Sequence, residues 1–441
     1  MSEMLKIKYK RVIIYFFVIV IVLLQFRMAT KQGYVLLPIE IAIAFLFSIW
    51  NGRVKVYWNE KKVLFIWNLF LIYILGVSVL IDGIRISAYQ SILYKCAGMT
   101  IMAYYVAMYI NHEETLKNVR NAGGVLSLLG VVECVTKQSL FLQFITVESR
   151  QYMVAQLGTS AARVRLIFIQ PIICAVFMVF FWLCLLYRHF KSNILNLVFG
   201  LSIIISILGT QSRSSWIAFI CVTLFALKKK IKTFRFKKSD FYSGVILLIL
   251  CIVIICFNFE KLHAVLNFWW MRWITGLNIT NASNYNRVTM IRNGLNDWMR
   301  SGLIQKLFGG GATYAIDYLK NYTIRGWNTA VDNQYLTILM NFGLVGEVLF
   351  LYLAYKIATI TLKAKNSKIE FWGLTCISML ISTFFYEMLS WTMITMLFTL
   401  SVCMLEKEIR QANGFASCGG TCCLYNKDKD GRYNVKQKNN N

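Results

Sequence analysis

The chain has 441 residues, of which 58% are hydrophobic and 15% are charged, and its formal net charge is +27. A soluble protein of this composition would expose apolar surface almost everywhere, so the composition excludes an ordinary soluble enzyme and favours an integral membrane protein. A strong positive charge is also typical of nucleic-acid binding, but the sequence contains no basic soluble domain. Basic loops beside a membrane explain the charge better.

Apolar segments of roughly spanning length recur along the whole chain. A membrane-spanning helix needs about 20 apolar residues, and this rule predicts an all-α, polytopic transmembrane helix bundle of about 12 spans. The fifth segment is short for a span. The predicted spans are Val12–Leu24, Tyr34–Trp50, Val63–Ile81, Ser91–Ile110, Ala122–Val135, Ile167–Tyr187, Asn193–Gly209, Ser214–Leu227, Phe241–Phe259, Asn333–Ile360, Ile369–Met388 and Trp391–Leu405.

Basic residues predict the orientation of these spans. They occur in every second short loop, for example in Arg53–Lys62 and in the run Lys228–Lys238. The positive-inside rule places these loops in the cytoplasm. Residues 1–441 are therefore predicted to form a single integral membrane domain with both termini cytoplasmic, ending in a basic cytoplasmic tail over residues 406–441.

The largest segment between predicted spans covers about Glu260–Asp332 (residues 260–332) and is expected to be an extracytoplasmic helical loop. Within it, Asn286–Arg300 repeats apolar residues at helical spacing, which predicts an amphipathic helix near the membrane surface. Gly309–Gly311 is predicted to end the next short helix. The eight-residue region after Gly302 is mostly apolar, so the loop is expected to pack on the membrane domain.

The outer and the cytoplasmic loops differ in the cation that they use. The cytoplasmic cations are mainly lysine, whereas the outer ones are mainly arginine, whose planar guanidinium can bind phosphate or carboxylate through two hydrogen bonds. Outer arginines therefore predict an anionic ligand, with pairing to lipid headgroups as the alternative. They are Arg27, Arg85, Arg150, Arg163, Arg165, Arg213, Arg272, Arg287, Arg292, Arg300 and Arg325.

The segment Gly209–Trp216 interrupts two apolar runs at the predicted outer face. A spanning helix is predicted to begin there, and a helix N-terminus presents unpaired N–H groups and a partial positive charge. Together with four hydroxyls and Arg213, this predicts an anion site for a lipid-linked phosphate. The alternative is that Ser212 and Ser214 are helix caps and that Arg213 caps or snorkels.

This segment resembles part of a known family of membrane enzymes. Thr210-Gln211-Ser212-Arg213-Ser214-Ser215-Trp216 resembles the T-x-S-R-x-x-W segment of the O-antigen ligase and Wzy-type polysaccharide polymerase family. The resemblance spans about Arg163–Gly346, with the motifs in the family's order. The other matching segments are Arg165 with Gln170-Pro171, Asn286–Ile291, Leu307–Gly311, and Asp332–Leu336 followed by Phe342–Gly346.

The resemblance implies a glycosyltransferase that moves a glycan from undecaprenyl diphosphate to a sugar hydroxyl at the outer leaflet of a bacterial cell membrane. Ligases carry histidine at the position of Asp332, which favours a polymerase for capsule, O-antigen or exopolysaccharide repeat units. A ligase that uses another acceptor, and a flippase or other transporter of lipid-linked oligosaccharides, stay open as alternatives. The expected partners are polyprenyl-diphosphate-linked glycans and the lipid bilayer, with a chain-length regulator and a flippase as candidates and no nucleic acid.

The reaction that the resemblance implies needs cations at the diphosphate leaving group and a base for the attacking hydroxyl. The candidate catalytic residues are Arg213, Arg287 and Asp332, with a solvated charge as the alternative for Arg287 and a helix N-cap as the alternative for Asp332. No metal or cofactor is expected, because the three histidines show no ligand spacing. The candidate substrate-binding residues are Arg163, Arg165, Ser212, Ser214, Arg292, Asn333 and Tyr335.

Arg163 and Arg165 could instead anchor the sixth span at the membrane interface. Glu347 lies about four turns into the tenth span, on the same predicted helix as Asp332. That separation argues against a direct chemical role for Glu347.

Overall fold

A computed structural model describes residues 63–82, 100, 103, 106–107, 110–142, 154, 157–159, 162–168, 170–231, 282–322, 331–412, 415–418, 421–427 and 433–436. For residues 229–231, 282–287, 319–322, 392 and the tail strands, the description covers the backbone alone. The predicted spans Val12–Leu24, Tyr34–Trp50 and Phe241–Phe259 lie outside the described residues, as does most of Ser91–Ile110.

The described residues form a helical body, which confirms the all-α prediction, and a short sheet in the C-terminal tail, which that prediction did not include. The three strands of this sheet pair antiparallel in the order of the chain. The elements are α1 Val63–Asp82, α2 His112–Thr136, α3 Pro171–Tyr187, α4 Asn193–Gly209, α5 Arg213–Ile231, α6 Ala282–Arg300, α7 Leu303–Phe308, α8 Tyr314–Tyr322, α9 Gln334–Lys363, α10 Ser367–Ser382, α11 Thr392–Ala412, β1 Phe415–Cys418, β2 Thr421–Lys427 and β3 Tyr433–Lys436.

Three described helices, α1, α2 and α9, are long and apolar enough to cross a membrane, and α3 and α4 are shorter apolar helices. Helix α2 begins ten residues before the predicted fifth span Ala122–Val135, which looked short because charged residues interrupt its apolar pattern. Its first turn carries Glu113 and Glu114, and Asn111 caps it by accepting a hydrogen bond from the Glu113 amide. Acidic residues stabilise a helix N-terminus, so the polar start belongs to the same helix.

The helices of the body run between two opposite ends. The start of α2 lies beside the start of α10, because Trp372 Nε1 donates to His112 Nδ1 at 3.0 Å. The ring of Tyr187, the last residue of α3, lies 5.5 Å from the ring of Phe371 between centroids. Helix α3 therefore runs opposite to α10 and begins at the other end.

Two further contacts orient the rest of the body. Ser206 Oγ donates to Ser127 O at 3.0 Å, so that α2 and α4 lie side by side, and Phe199 against Gly124 makes them parallel. At the opposite end from His112, the Gln334 amide donates to Thr383 O at 3.0 Å. We call the end that contains His112 the inner end, and the end that contains the last residues of α2, α4 and α10 the outer end, after the predicted orientation.

Helix α9 folds back on itself at Gly343. Gly343 has φ 67° and ψ −170°, a conformation that breaks an α-helix. Residues 15 apart in a straight helix are separated by about 22 Å along its axis, but the rings of Tyr335 and Phe350 lie 5.6 Å apart. A methyl group at Gly346 would lie 3.5 Å from Ile338 Cγ2. The two arms of α9, residues 334–342 and 344–363, therefore pack against each other.

A segment of glycines from the outer loop fits into this break. Helix α7 ends immediately before Gly309–Gly311, as predicted, and the amides of the second and third glycines donate to the carbonyls of Met340 and Asn341, each at 3.0 Å. A methyl group at Gly343 would lie 2.4 Å from the backbone of Leu307. Glycine is needed here because two backbones touch.

Candidate functional site

The turn between α4 and α5 carries the first group of predicted site residues. Gln211 adopts a left-handed backbone, with φ 54°. Ser212 and Ser214 are buried, and Ser212 Oγ lies 3.1 Å from both Ser214 Oγ and Ser215 Oγ. These hydroxyls bond to one another at the start of α5, and helix capping stays the alternative for them. Their contact with a substrate stays a prediction.

Arg163 and Arg165 lie on a segment that runs along this turn. Arg163 Nε donates to Thr210 O at 2.7 Å, and the Val164 amide donates to Gly209 O at 3.0 Å. A methyl group at Gly209 would lie 2.7 Å from Val164 Cγ2, so only glycine allows this approach. Arg165 is buried, with 6% of its surface exposed. The structure thus joins the predicted upstream arginines to the segment that precedes Arg213.

Glu133 holds the arginine segment from the other side. This buried residue lies near the end of α2. Its Oε2 accepts hydrogen bonds from the amides of Arg165 at 3.0 Å and Leu166 at 2.9 Å, and its Oε1 accepts one from the Leu140 amide at 2.8 Å. Charged acceptors make the stronger hydrogen bonds in proteins. One carboxylate therefore fixes the loop after α2 and the segment that carries both arginines.

A small cleft lies between the end of α2 and the arginine segment. Three of its lining residues are cationic, and the Ser139 hydroxyl within it makes no hydrogen bond to the described residues. Cations beside a hydroxyl fit an anionic or sugar-bearing group. The lining residues are Glu133, Lys137, Gln138, Ser139, Leu157, Ala162, Arg163 and Arg165.

Asp332 lies immediately before α9, but it does not cap the helix. The cap is Asn333, whose Oδ1 accepts a hydrogen bond from the Leu336 amide at 3.1 Å. The capping alternative for Asp332 is therefore wrong. Asp332 instead has a left-handed backbone, with φ 55°, which is uncommon for residues other than glycine and often marks a functional position.

A second buried carboxylate, Glu387, holds the segment around Asp332. Its Oε1 accepts hydrogen bonds from the Val331 amide at 2.8 Å and from Thr337 Oγ1 at 2.9 Å. Its Oε2 accepts one from Ser390 Oγ at 2.6 Å. The loop between α10 and α11 is thus bonded to both sides of Asp332, which fixes its strained backbone.

Tyr335, a predicted substrate-binding residue, lies at the start of α9. Its hydroxyl donates to Leu380 O at 3.1 Å, and its ring stacks on Phe384 at 4.2 Å between centroids. These contacts join the start of α9 to the end of α10. Binding of substrate by Tyr335 and Asn333 stays a prediction.

The predicted amphipathic helix is α6, which packs on the first arm of α9. Met290 is buried in a cluster with Leu336 and Met340, and Gly294 faces Met340 Sδ. Arg292 is exposed. Arg287 lies in the first half of α6, with its side chain outside the described part. The helix itself is confirmed, and a ligand for its arginines stays a prediction.

Glu347 is closer to the start of α9 than the sequence indicated. The expectation of about four turns between Glu347 and Asp332 assumed a straight helix, and the fold-back at Gly343 makes that argument wrong. Tyr335 contacts Phe350, which lies one turn beyond Glu347. Glu347 Oε2 is buried and has no hydrogen-bond partner among the described residues.

Sequence reasoning missed Glu133 and Glu387. Both lie inside predicted spans, Ala122–Val135 and Ile369–Met388. A charged residue within an apolar run is a functional candidate by default, and this signal could have identified them.

The family comparison covers the middle of the chain. Residues 195–351 match the Wzy_C family model, described as O-antigen ligase. The matched segment includes Arg213, Arg287 and Asp332, whereas Glu133 and Arg163 precede it. The family acts on lipid-linked glycans in a membrane. A comparison with curated proteins finds no match.

Proposed function

We propose that this protein is a polymerase that joins undecaprenyl-diphosphate-linked oligosaccharide repeat units at the outer leaflet of the bacterial cell membrane. The match of residues 195–351 to the O-antigen ligase family model supports a glycosyltransferase-like enzyme. The observation that carries the proposal is the grouping of polar features at one end of a helical body. Arg163, the start of α5 with Arg213, and Asp332 all belong to the outer end.

The proposed topology has about 12 spans, with both termini in the cytoplasm and the loop of residues 260–332 outside. The alternating directions of α2, α3, α9 and α10 support it, because each described connection then falls on the side that the basic loops predict. Residues 406–441 would form a cytoplasmic tail. On this topology, the second arm of α9 is the spanning part and the first arm belongs to the outer side.

The proposed reaction uses residues of this chain alone. The acceptor hydroxyl attacks the anomeric carbon of the glycan donor, and the bond from that carbon to the diphosphate oxygen breaks. Arg213 and Arg287 stabilise the negative charge that develops on the leaving diphosphate. Asp332 takes the proton of the hydroxyl.

Asp332 also favours a polymerase over a ligase, because it occupies the position at which ligases of the resembled family carry histidine. A flippase is less well supported. Transporters often carry paired broken helices near the middle of the bilayer, whereas the break at Gly343 in α9 is packed against the outer loop. A chain-length regulator and a flippase remain the proposed protein partners.

The test is reconstitution of the protein in lipid vesicles with its lipid-diphosphate repeat unit. The expected product is a ladder of glycans on polyprenyl diphosphate, and the Arg213→Ala variant should not form it. A single transfer to a different acceptor would establish the ligase alternative. Movement of the lipid-linked repeat unit across the bilayer without new glycosidic bonds would establish the flippase alternative.

A further inference from the structure

Glu133 makes its hydrogen bonds with the backbone of two separate segments. Both of its carboxylate oxygens are used, by the amides of Leu140, Arg165 and Leu166, at distances of 2.8 to 3.0 Å. Its own carbonyl accepts a fourth hydrogen bond from the Lys137 amide at 3.0 Å. Only 4% of the residue is exposed. This residue therefore connects the end of α2 to the segment of the arginines.

A buried carboxylate is costly unless its oxygens are well bonded. An amide side chain could not replace it here. Glutamine offers one acceptor oxygen and one NH2 group, and the NH2 group would face backbone donors in place of an acceptor. At least one of the amides of Leu140, Arg165 and Leu166 would then lose its partner. The three amides therefore require a carboxylate at this position, and a neutral polar side chain would not satisfy them all.

The bonded amides belong to a strained stretch of backbone. Leu166 has φ 53°, a left-handed conformation that is unfavourable for a branched, non-glycine residue. Such a conformation persists only when the surroundings fix it. The amides of Arg165 and Leu166 are both bonded to Glu133, so this carboxylate determines the direction in which the segment leaves the bundle.

The direction of the segment determines where its arginines lie. Arg163 bonds to the carbonyl of Thr210 at 2.7 Å, three residues before Arg213. Arg163 and Arg165 also line the cleft in which Glu133 forms part of the wall. A shift of the backbone at residues 165–166 would move both guanidinium groups relative to the start of α5.

We infer that Glu133 is a positioning residue that holds Arg163 and Arg165 for the phosphate-bearing part of the lipid-linked glycan donor. It acts through the backbone of residues 165–166 and does not itself touch the substrate. The inference rests on the proposed function for the identity of the ligand.

The test compares Glu133→Gln with Glu114→Gln, an exposed glutamate at the far end of the same helix. The reconstituted proteins are assayed with the lipid-diphosphate repeat unit, and backbone deuterium exchange is followed at residues 165–166. For Glu133→Gln we expect faster exchange there and about a tenfold higher KM, with kcat nearly unchanged. Glu114→Gln should match the wild type in both measurements.

A combined variant distinguishes an effect of Glu133 through the two arginines from a general loss of folding. In a protein that already carries Arg163→Ala and Arg165→Ala, Glu133→Gln should raise KM no further, because interacting sites are not additive. Glu133→Asp, which keeps the carboxylate, should fall between wild type and Glu133→Gln, and it serves as the test variant if Glu133→Gln does not fold.

Three results would overturn the inference. The first is unchanged deuterium exchange at residues 165–166, and the second is an unchanged KM for the glycan donor. The third is an equal rise in KM when Glu133→Gln is added to the protein that already carries Arg163→Ala and Arg165→Ala. If the wild type forms no glycan ladder, the proposed function fails instead, and the exchange measurement still decides whether Glu133 holds the segment.

Discussion

The two ends of the helical body are built by different means. At the outer end, the chain adopts left-handed backbone conformations at non-glycine residues in four places, and every such residue in the described ranges lies there. At the inner end, the helices begin in the ordinary way, after the capping residues Asn111, Ser192 and Asn366 with extended backbones. The four left-handed residues are Lys137, Leu166, Gln211 and Asp332.

The carboxylates at the two ends also bind different groups. Glu133 and Glu387 at the outer end collect backbone amides and hydroxyls of loops. At the inner end, Glu406 accepts from Arg410 Nε at 3.2 Å, and exposed Glu113 pairs with Arg188 at 3.2 Å. These two inner carboxylates meet arginine side chains, one of them within a single helix, whereas Glu133 and Glu387 hold loops. Strained backbone of this kind clusters at functional sites, which agrees with a reaction at the outer end.

The largest effect should come from Arg213. Removing a group that stabilises the developing charge costs about 100- to 1,000-fold in kcat, so Arg213→Ala should nearly abolish glycan ladders. Arg213→Lys should also be strongly impaired, because lysine cannot bind phosphate through a planar fork. Arg188→Ala at the inner end removes an exposed ion pair and should leave the rate unchanged. Full-length ladders from Arg213→Ala in the reconstituted assay would remove Arg213 from the site.

The next largest effect should be on stability, at the break in α9. Gly343→Ala would place a methyl group 2.4 Å from the backbone of Leu307 at a residue with φ 67°, and we expect a loss of about 2 to 3 kcal/mol. Thermal unfolding in detergent measures it. The matched control is Gly76→Ala in α1, where no atom lies within 4 Å of the added methyl. That change should be neutral or stabilising, and equal losses in both variants would contradict the fold-back.

Glu387→Gln should have a smaller effect, on turnover. It removes an acceptor from the Val331 amide or from Ser390 Oγ and so loosens the backbone of Asp332. We expect kcat to fall about tenfold. Ser390→Ala removes one of these bonds and leaves the carboxylate in place, so it should cost less. A Glu387→Gln enzyme with wild-type turnover would show that Asp332 needs no such support.

The smallest effect should come from the inner end. Trp372→Phe removes the hydrogen bond from Trp372 Nε1 to His112 Nδ1 and should lower stability by about 1 kcal/mol. Because this bond joins the starts of α2 and α10, away from the outer end, KM and kcat should stay at wild-type values. A changed KM for the glycan donor would show that the two ends are coupled.

The sequence predicts the features that depend on periodicity and charge. The apolar spacing of Val288, Ile291 and Leu295 predicts the helix α6. The order of the motifs places Arg163 and Arg213 in the same predicted substrate site. The apolar runs also locate most of the described helices of the body, with their ends shifted by up to ten residues.

Other features leave no such pattern in the sequence. Phe342-Gly343-Leu344 lies in a continuous apolar run, and a single glycine there does not distinguish a tolerated helix residue from a reversal of direction. The partners of Glu133 are backbone amides, so no complementary side chain marks the contact. For the same reason, the bond from Arg163 to the carbonyl of Thr210 could not be read from residue types.

The first arm of α9 has a mechanical consequence for the reaction. It is about 13 Å long, it is fixed at Gly343 by the glycines after α7, and Asp332 lies just beyond its other end. If this arm rotates as a rigid body around Gly343, a rotation of about 10° would displace Asp332 by about 2 Å. A misplacement of about 1 Å can cost 100-fold in rate. The rate would then depend on the stiffness of the whole first arm, and not only on the immediate surroundings of Asp332.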